Sequence, residues 1–349
     1  MGLFNIFKSQ ENLKNGFHAL TVRDVRQLTG ESVVITFEVA NEKKPFFQFQ
    51  PGQYVDVEAT ITGEKIRRSY SICSSNLVDL SIGIKAVPQG KMSNYLTGLK
   101  VGDIVNISTP KGNFISSKND DYIVCIAAGS GITPILSILS NSTARKELFF
   151  VNKTLGQMMF TSEIMTIPNL TKHFYLTQQK EENYVFGRLT KEVFISEIKS
   201  NLAILNASVF FICGPHEMVL EIKDALKIFG VSEEKIKVEL FQAKVPEPLE
   251  KNVDFSGNSS LEVILDGETV HLTMESSKKT ILESLEAKGI DAPYSCRGGV
   301  CCSCKAKVLE GAVRMKVNYS LTDEEVAAGF VLTCQALPNA SNIKLSFDE

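Results

Sequence analysis

A chain of 349 residues with 44% hydrophobic and 22% charged residues exceeds one ordinary core and is read as two or three domains. Its 37 basic and 40 acidic residues, a net charge of −3, create no broad positive field, which argues against nucleic acid and leaves small ligands and proteins as partners. Cys73, Cys125 and Cys213 stand alone in apolar surroundings while the other five cysteines crowd positions 296–334, the usage of a reduced, cytoplasmic protein with one local thiolate site.

Residues 1–16 read as a short leader: they lack a basic region followed by an apolar core and a cleavage site, and Ile6 stands where a myristoylation motif needs Ser or Thr. From 17 to 115 the runs ALTVRDV, SVVITFEVA, YVDVEATI, RRSYSIC, DLSIGIKAV and IVNIST, separated by Gly, Pro and Asn, predict an antiparallel β-barrel. From 116 to 243 the pattern changes to strands (YIVCIAA, ELFFVN, HFYLTQ, VFFICG, KIKVELF) alternating with helices such as TKEVFISEIKS and HEMVLEIKDALKIFG, the latter closed by Gly230. This predicts a parallel sheet with helices on both faces, an α/β domain. The uncharged run 122–143 is long enough to cross a bilayer, but Gly129, Ser130, Gly131, Thr133 and Pro134 in its middle parse it as buried strand, glycine turn and helix.

Residues 244–258, KVPEPLEKNVDFSGN, contain two prolines and alternating charge and read as a linker. The third domain, 259–349, opens with a hairpin turning at Asp266-Gly267 and a helix ending at Gly289, and closes with strands KAKVLEG and NIKLSF. Between them Cys296, Cys301 and Cys304 have the spacing C-x4-C-x2-C, and Cys334 follows in VLTCQA, the plant-type [2Fe-2S] arrangement. The loop Arg297-Gly298-Gly299 can bring backbone N–H groups close to inorganic sulfide. Zinc is the alternative, although it usually shows two C-x2-C knuckles and only Cys301/Cys304 supply one. Cys302, adjacent to a ligand position, reads as a packing residue. His18, His173, His216 and His271 show no metal-ligand spacing, so an oxygen-activating iron belongs to another protein.

On its cysteines the third domain resembles a plant-type ferredoxin of the β-grasp (α+β) fold. Residues 17–243 resemble the ferredoxin-NADP reductase family, on Arg68-Ser69-Tyr70-Ser71, Gly90-Lys91-Met92-Ser93, Gly129-Ser130-Gly131-Ile132-Thr133-Pro134 and Cys213-Gly214-Pro215. The domain order is similar to that of the reductase components of phenylacetyl-CoA epoxidases and of ring-hydroxylating oxygenases. The resemblance implies that Arg68 bridges the pyrophosphate of FAD, Tyr70 stacks on the isoalloxazine and Ser71 bonds flavin N5, chemistry suited to a guanidinium, an aromatic ring and a small hydroxyl. It implies that Gly90–Ser93 receives the diphosphate at a helix start, with charge added by Lys85. The turn 129–134 departs from G-x-G-x-x-G at Pro134 but matches the family's G-x-G-x-T-P, which takes the pyridine nucleotide's pyrophosphate. Cys213 then lies beside the nicotinamide and, with Ser71, counts as catalytic. After ELFFVN an acidic residue would select NADH; Asn152-Lys153-Thr154 stands there instead, and Lys153 can meet a 2′-phosphate, which favours NADPH.

The expected function is a two-to-one electron converter: NADPH gives a hydride, FAD takes the pair, and the cluster passes electrons singly to an oxygenase. A di-iron oxygenase acting on an acyl-CoA is the expected acceptor, with an aromatic-ring oxygenase or lipid desaturase as alternatives. FMN in place of FAD, and a non-enzymatic zinc-containing nucleotide-binding module, are the competing readings. The linker is expected to let the ferredoxin domain shuttle between flavin and acceptor.

Overall fold

A computed structural model describes residues 16–241, 255, 258–274 and 279–349; the leader up to residue 15 and nearly all of the linker 244–258 lie outside the described residues. The first domain holds six strands, β1 (Phe17–Thr29), β2 (Ser32–Glu38), β3 (Tyr54–Ile61), β4 (Glu64–Ser71), β5 (Leu80–Lys85) and β6 (Ile104–Ser108). They pair antiparallel in the order β4-β3-β6-β1-β2-β5. The two edges meet where Ile72 bridges Ile82 and the Cys73 N–H donates to Ser81 O at 2.9 Å, so the sheet closes into a barrel and its edge groups find partners. Alternate residues such as Val33, Ile35 and Phe37 fill the interior, and helix α1 (Lys91–Thr97) contributes Met92 and Leu96 to it. Val34 points the other way, into the core of the second domain.

That domain is a six-stranded parallel sheet of β7 (Tyr122–Ala128), β8 (Arg145–Asn152), β9 (Leu170–Leu176), β10 (Val185–Phe186), β11 (Val209–Cys213) and β12 (Ile236–Glu239), ordered β10-β9-β8-β7-β11-β12. Helices α2 (Ile132–Ser140) and α3 (Thr161–Thr166) cover one face, and α4 (Lys191–Ser200) and α5 (His216–Ile228) the other, which is why its central strands are apolar throughout rather than alternating. Gly230 ends α5 at φ 76° with its N–H on Lys227 O. The uncharged run is strand β7, a glycine turn and α2, and no described helix is long and apolar enough to cross a membrane. Strand order reverses between β7 and β11, the position at which open α/β sheets hold ligands beyond their strand ends.

The third domain is a β-grasp. Its elements are β13 (Ser259–Leu265), β14 (Glu268–Met274), α6 (Ile281–Ala287), β15 (Lys305–Glu310), β16 (Val313–Met315), α7 (Asp323–Ala327), β17 (Phe330–Leu332), β18 (Ala336–Pro338) and β19 (Asn342–Ser346). The main sheet runs β14-β13-β19-β15-β17, with β13 and β19 parallel. Asp266 and Gly267 both take positive φ, the geometry of a two-residue hairpin turn. Thr280 with Glu283, and Thr322 with Glu325, form reciprocal caps at the starts of α6 and α7. The short elements β16, β17, β18 and α7 leave no mark in the sequence pattern, because three to five residues carry no measurable periodicity.

Candidate redox site

The two glycine motifs meet at the switch point. β7 runs into Gly129-Ser130-Gly131 and β11 into Cys213-Gly214-Pro215, side by side. A Cβ on Gly131 would lie 2.2 Å from the Cys213 carbonyl oxygen and 3.2 Å from its Sγ, so that position excludes any side chain, whereas one on Gly214 would lie 2.5 Å from Met218 Cε, the mobile tip of a side chain that can turn aside. Gly129 sits at φ 53° with open space where a Cβ would be. Thr133 Oγ1 donates to Ser130 O at 3.0 Å, and its methyl faces Gly83 of the barrel, so the turn is fixed by its own helix and by the first domain.

Ser71, the last residue of β4, arrives at the same place and donates through Oγ to Glu239 Oε2 at 3.1 Å. Glu239 ends β12 and pairs in register with Cys213. Burial pushes its carboxyl up to about 8, a rise that the Ser71 hydroxyl opposes. Burial first, and Glu239 second, push the Cys213 thiol well above its ordinary range, so it is a neutral side chain at physiological pH. Glu239 is missing from the residues singled out in the sequence; the available signal is a lone acidic residue at the end of an otherwise apolar run.

Along β4 the pleat sends neighbours to opposite sides. Arg68 is exposed, its guanidinium reaching back to Arg67 O at 2.7 Å, and Tyr70 is half-buried with its hydroxyl held neutral by desolvation. Ser69 faces the other way: its Oγ donates to Asp56 Oδ1 at 2.7 Å and lies 2.8 Å from Ser295 Oγ of the third domain. Gly90 caps α1, and a Cβ there would lie 2.6 Å from Ser93 Oγ, which itself accepts the Val87 N–H at 3.1 Å. Met92 is buried in the barrel, while Lys91 pairs with Glu64 and Lys85 lies 3.8 Å from Glu31, so these lysines already have carboxylate neighbours.

At the end of β8, Asn152 is buried with its Nδ2 lacking a hydrogen-bond partner among the described residues. Lys153 is exposed, Thr154 is half-buried, and the adjacent β9 continues into Thr177 and Gln178, whose N–H groups donate to Asn152 O and Lys153 O.

All eight cysteines of the chain are free, so no disulfide competes for those of the third domain. The Cys296 thiol is within hydrogen-bonding reach of Cys301 and Cys334, and Cys334 in turn of Cys304. The four sulfurs therefore follow one another in the order Cys301, Cys296, Cys334, Cys304; among the described residues no three His, Cys, Asp or Glu side chains gather around one point. Gly298 N–H points at Cys296 Sγ at 3.4 Å, and Gln335 Nε2 contacts Cys334 Sγ at 3.6 Å while holding Arg297 O at 2.9 Å. Arg297 and Gly299 both take positive φ, which turns the loop inward. Four thiols with N–H donors aimed at two of them suit a [2Fe-2S] cluster. Cys302 is turned aside, its Sγ 3.6 Å from Ser320 O.

Residues 19–115, 125–224 and 263–339 match families described as oxidoreductase FAD-binding domain, oxidoreductase NAD-binding domain and 2Fe-2S iron-sulfur cluster binding domain. Across 95% of the chain and 98% of the relative, the sequence is 33% identical to a component of the 1,2-phenylacetyl-CoA epoxidase of Escherichia coli (strain K12). The chain belongs to the ferredoxin-NADP reductase family with a C-terminal [2Fe-2S] ferredoxin domain. This reductase is also 30% identical to the ferredoxin reductase component of 3-ketosteroid-9-alpha-monooxygenase from Rhodococcus rhodochrous, over 94% of the chain and 96% of the relative. Its fold is similar to that of phthalate dioxygenase reductase, with a TM-score of 0.58 and 20% identity over 95% of this chain and 98% of the other. It is an oxidoreductase with FAD-binding, NAD(P)-binding and [2Fe-2S] domains.

Proposed function

We propose that this reductase draws electrons from NADPH and delivers them to a di-iron oxygenase of the phenylacetyl-CoA epoxidase type, with its flavin, nucleotide and ferredoxin parts at 17–115, 116–243 and 259–349. The relative of 33% identity over nearly the full length of both chains supports this acceptor. The bound groups would supply acceptance of two electrons together, as one hydride, and their release one at a time. The protein's own part is positioning. Gly131, where backbone excludes any side chain, would keep the floor under a nicotinamide open. Ser71 presents a hydroxyl to the flavin edge and is itself oriented by Glu239. With its carboxyl protonated up to about pH 8, Glu239 puts no anion against the hydride path at neutral pH. Arg68 meets the flavin's phosphates and Tyr70 its ring; Cys296, Cys301, Cys304 and Cys334 hold the irons.

The observation that carries the reading is the convergence of Ser71, Glu239 and Cys213 from both domains at the switch point. NADPH is favoured because β8 ends in Asn152, followed by Lys153, with no carboxylate, and the Asn152 amide, which has no partner among the described residues, offers a donor to the ribose. Anaerobic titration tests both points: the purified protein should be yellow-brown and take up roughly three electrons, two at the flavin and one at the cluster. NADPH should work at lower concentration than NADH. Colourless zinc protein, or flavin bands that bleach without the cluster, would refute the proposal.

A further inference from the structure

Arg67 heads the large side chains that are fully enclosed, at 1% exposure, and its position on a barrel strand next to the flavin motif does not explain why. An enclosed guanidinium is costly unless every donor is paired. Its Nε donates to Glu58 Oε2 of its own domain at 2.6 Å, but its Nη2 donates to Asp291 Oδ2 at 3.0 Å and its Nη1 to Ala292 O at 3.3 Å, both in the ferredoxin domain. Phe17 of the barrel and Tyr294 of the ferredoxin domain set their rings 5.1 and 5.2 Å from its Cζ. On the same face of β4, Ser69 meets Ser295, and Lys65 reaches Asp291 at 3.0 Å. The segment gripped this way, 291–295, runs directly into Cys296.

A second grip lies at the other end of the ligand loop. Tyr54 of β3 is buried, and its hydroxyl oxygen accepts the Cys302 N–H at 3.1 Å and lies 3.5 Å from Ser303 Oγ, between Cys301 and Cys304. β3 and β4 are neighbours, with Tyr54 opposite Ser71 and Val57 opposite Arg68. Strand β4 is thus a shared wall: Arg68 and Tyr70 on one face, Arg67 and Ser69 on the other, separated by one pleat.

We propose that Arg67 and Tyr54 are positioning residues for electron transfer from flavin to cluster, clamping the two ends of the cluster loop against the reverse face of the flavin-binding strand. The inference rests on the proposed function for its redox partners. The transfer it serves balances simply: two electrons and one proton arrive as hydride, the electrons leave singly through the cluster to the acceptor, and the proton goes to water. A clamp of charges and hydroxyls fits this task, because it sets geometry through directional bonds and its groups are readily hydrated where domains part.

Arg67→Met risks misfolding by removing the partner of Glu58 and emptying an enclosed site, so the test uses Tyr54→Phe and Asp291→Asn in the full chain carrying flavin and cluster. Three quantities are read: anaerobic flavin bleaching by NADPH, cluster bleaching, and hydrogen exchange of residues 291–303 in the oxidised protein. Flavin bleaching should stay within about twofold, while exchange should quicken by roughly fivefold to tenfold, the effect of losing one hydrogen bond. Cluster bleaching should slow by a comparable factor. Exchange and cluster bleaching at parental rates in both variants would overturn the clamp. A parent protein whose cluster never bleaches would instead refute the proposed function, and the exchange data would still decide whether the two grips hold the loop.

Discussion

Replacing Glu239 by Gln isolates the strongly shifted carboxyl beside Ser71 and Cys213. In the folded protein its pKa is about 8, against an ordinary value of 4.5, so between these pH values folding binds a proton that unfolding releases. The sign follows: the parent's stability from this group is complete below about pH 4.5 and is lost as pH rises through 8. Full desolvation would make the loss about 5 kcal/mol, at 1.36 kcal/mol per unit. Because the residue is only half-buried, and the pH 6–9 interval spans part of the window, about 2 kcal/mol is the expected change there. Glutamine keeps the hydrogen-bonding shape and never ionises. Thermal melts of parent and Glu239→Gln at pH 6 and pH 9 should therefore show the variant gaining roughly 4–8 °C on the parent as pH rises. The rate of flavin reduction should also lose its inflection near pH 8 in the variant. A melting difference that does not change with pH, or one that moves against the variant, would show that the carboxyl ionises normally and would refute the reasoning.

Cys334→Ser should abolish the iron-sulfur absorption and the bound iron while NADPH still bleaches the flavin, as checked by metal analysis and anaerobic spectra; retention of the full cluster would exclude Cys334 as a ligand. Gly131→Ala places a Cβ 2.2 Å from the Cys213 carbonyl, so the chain must shift at the cost of about 1–3 kcal/mol, and flavin reduction by NADPH should fall by at least tenfold with flavin content unchanged. Lys153→Glu should raise the KM for NADPH by roughly tenfold, the equivalent of 1.4 kcal/mol, and leave that for NADH the same or lower; equal effects on the two would remove Lys153 from the 2′-phosphate.

Much of this reductase was legible from local pattern. The period-two runs locate β1 to β6 because one face of each strand fills the barrel, and the continuous apolar strands of the second domain announce a sheet covered on both sides. Cys296, Cys301 and Cys304 could be read together because a loop of nine residues holds its own geometry, and Gly131 could be read because no side chain fits beside a strand end. Residues whose meaning comes from another domain could not be read this way. Glu239 looks like the last polar residue of an edge strand until register sets it beside Cys213 and the barrel brings Ser71 to it. Arg67 and Ser69 sit on the same strand as Arg68 and Tyr70, yet the pleat and the docked third domain turn them the other way, toward the segment that leads into Cys296. Chain sequence by itself determined the three folds and the chemical types of their sites, since hydrophobic period and ligand spacing act over a few residues. Tertiary structure alone decided how the sites face one another, because burial of a charge or hydroxyl depends on which distant segment covers it.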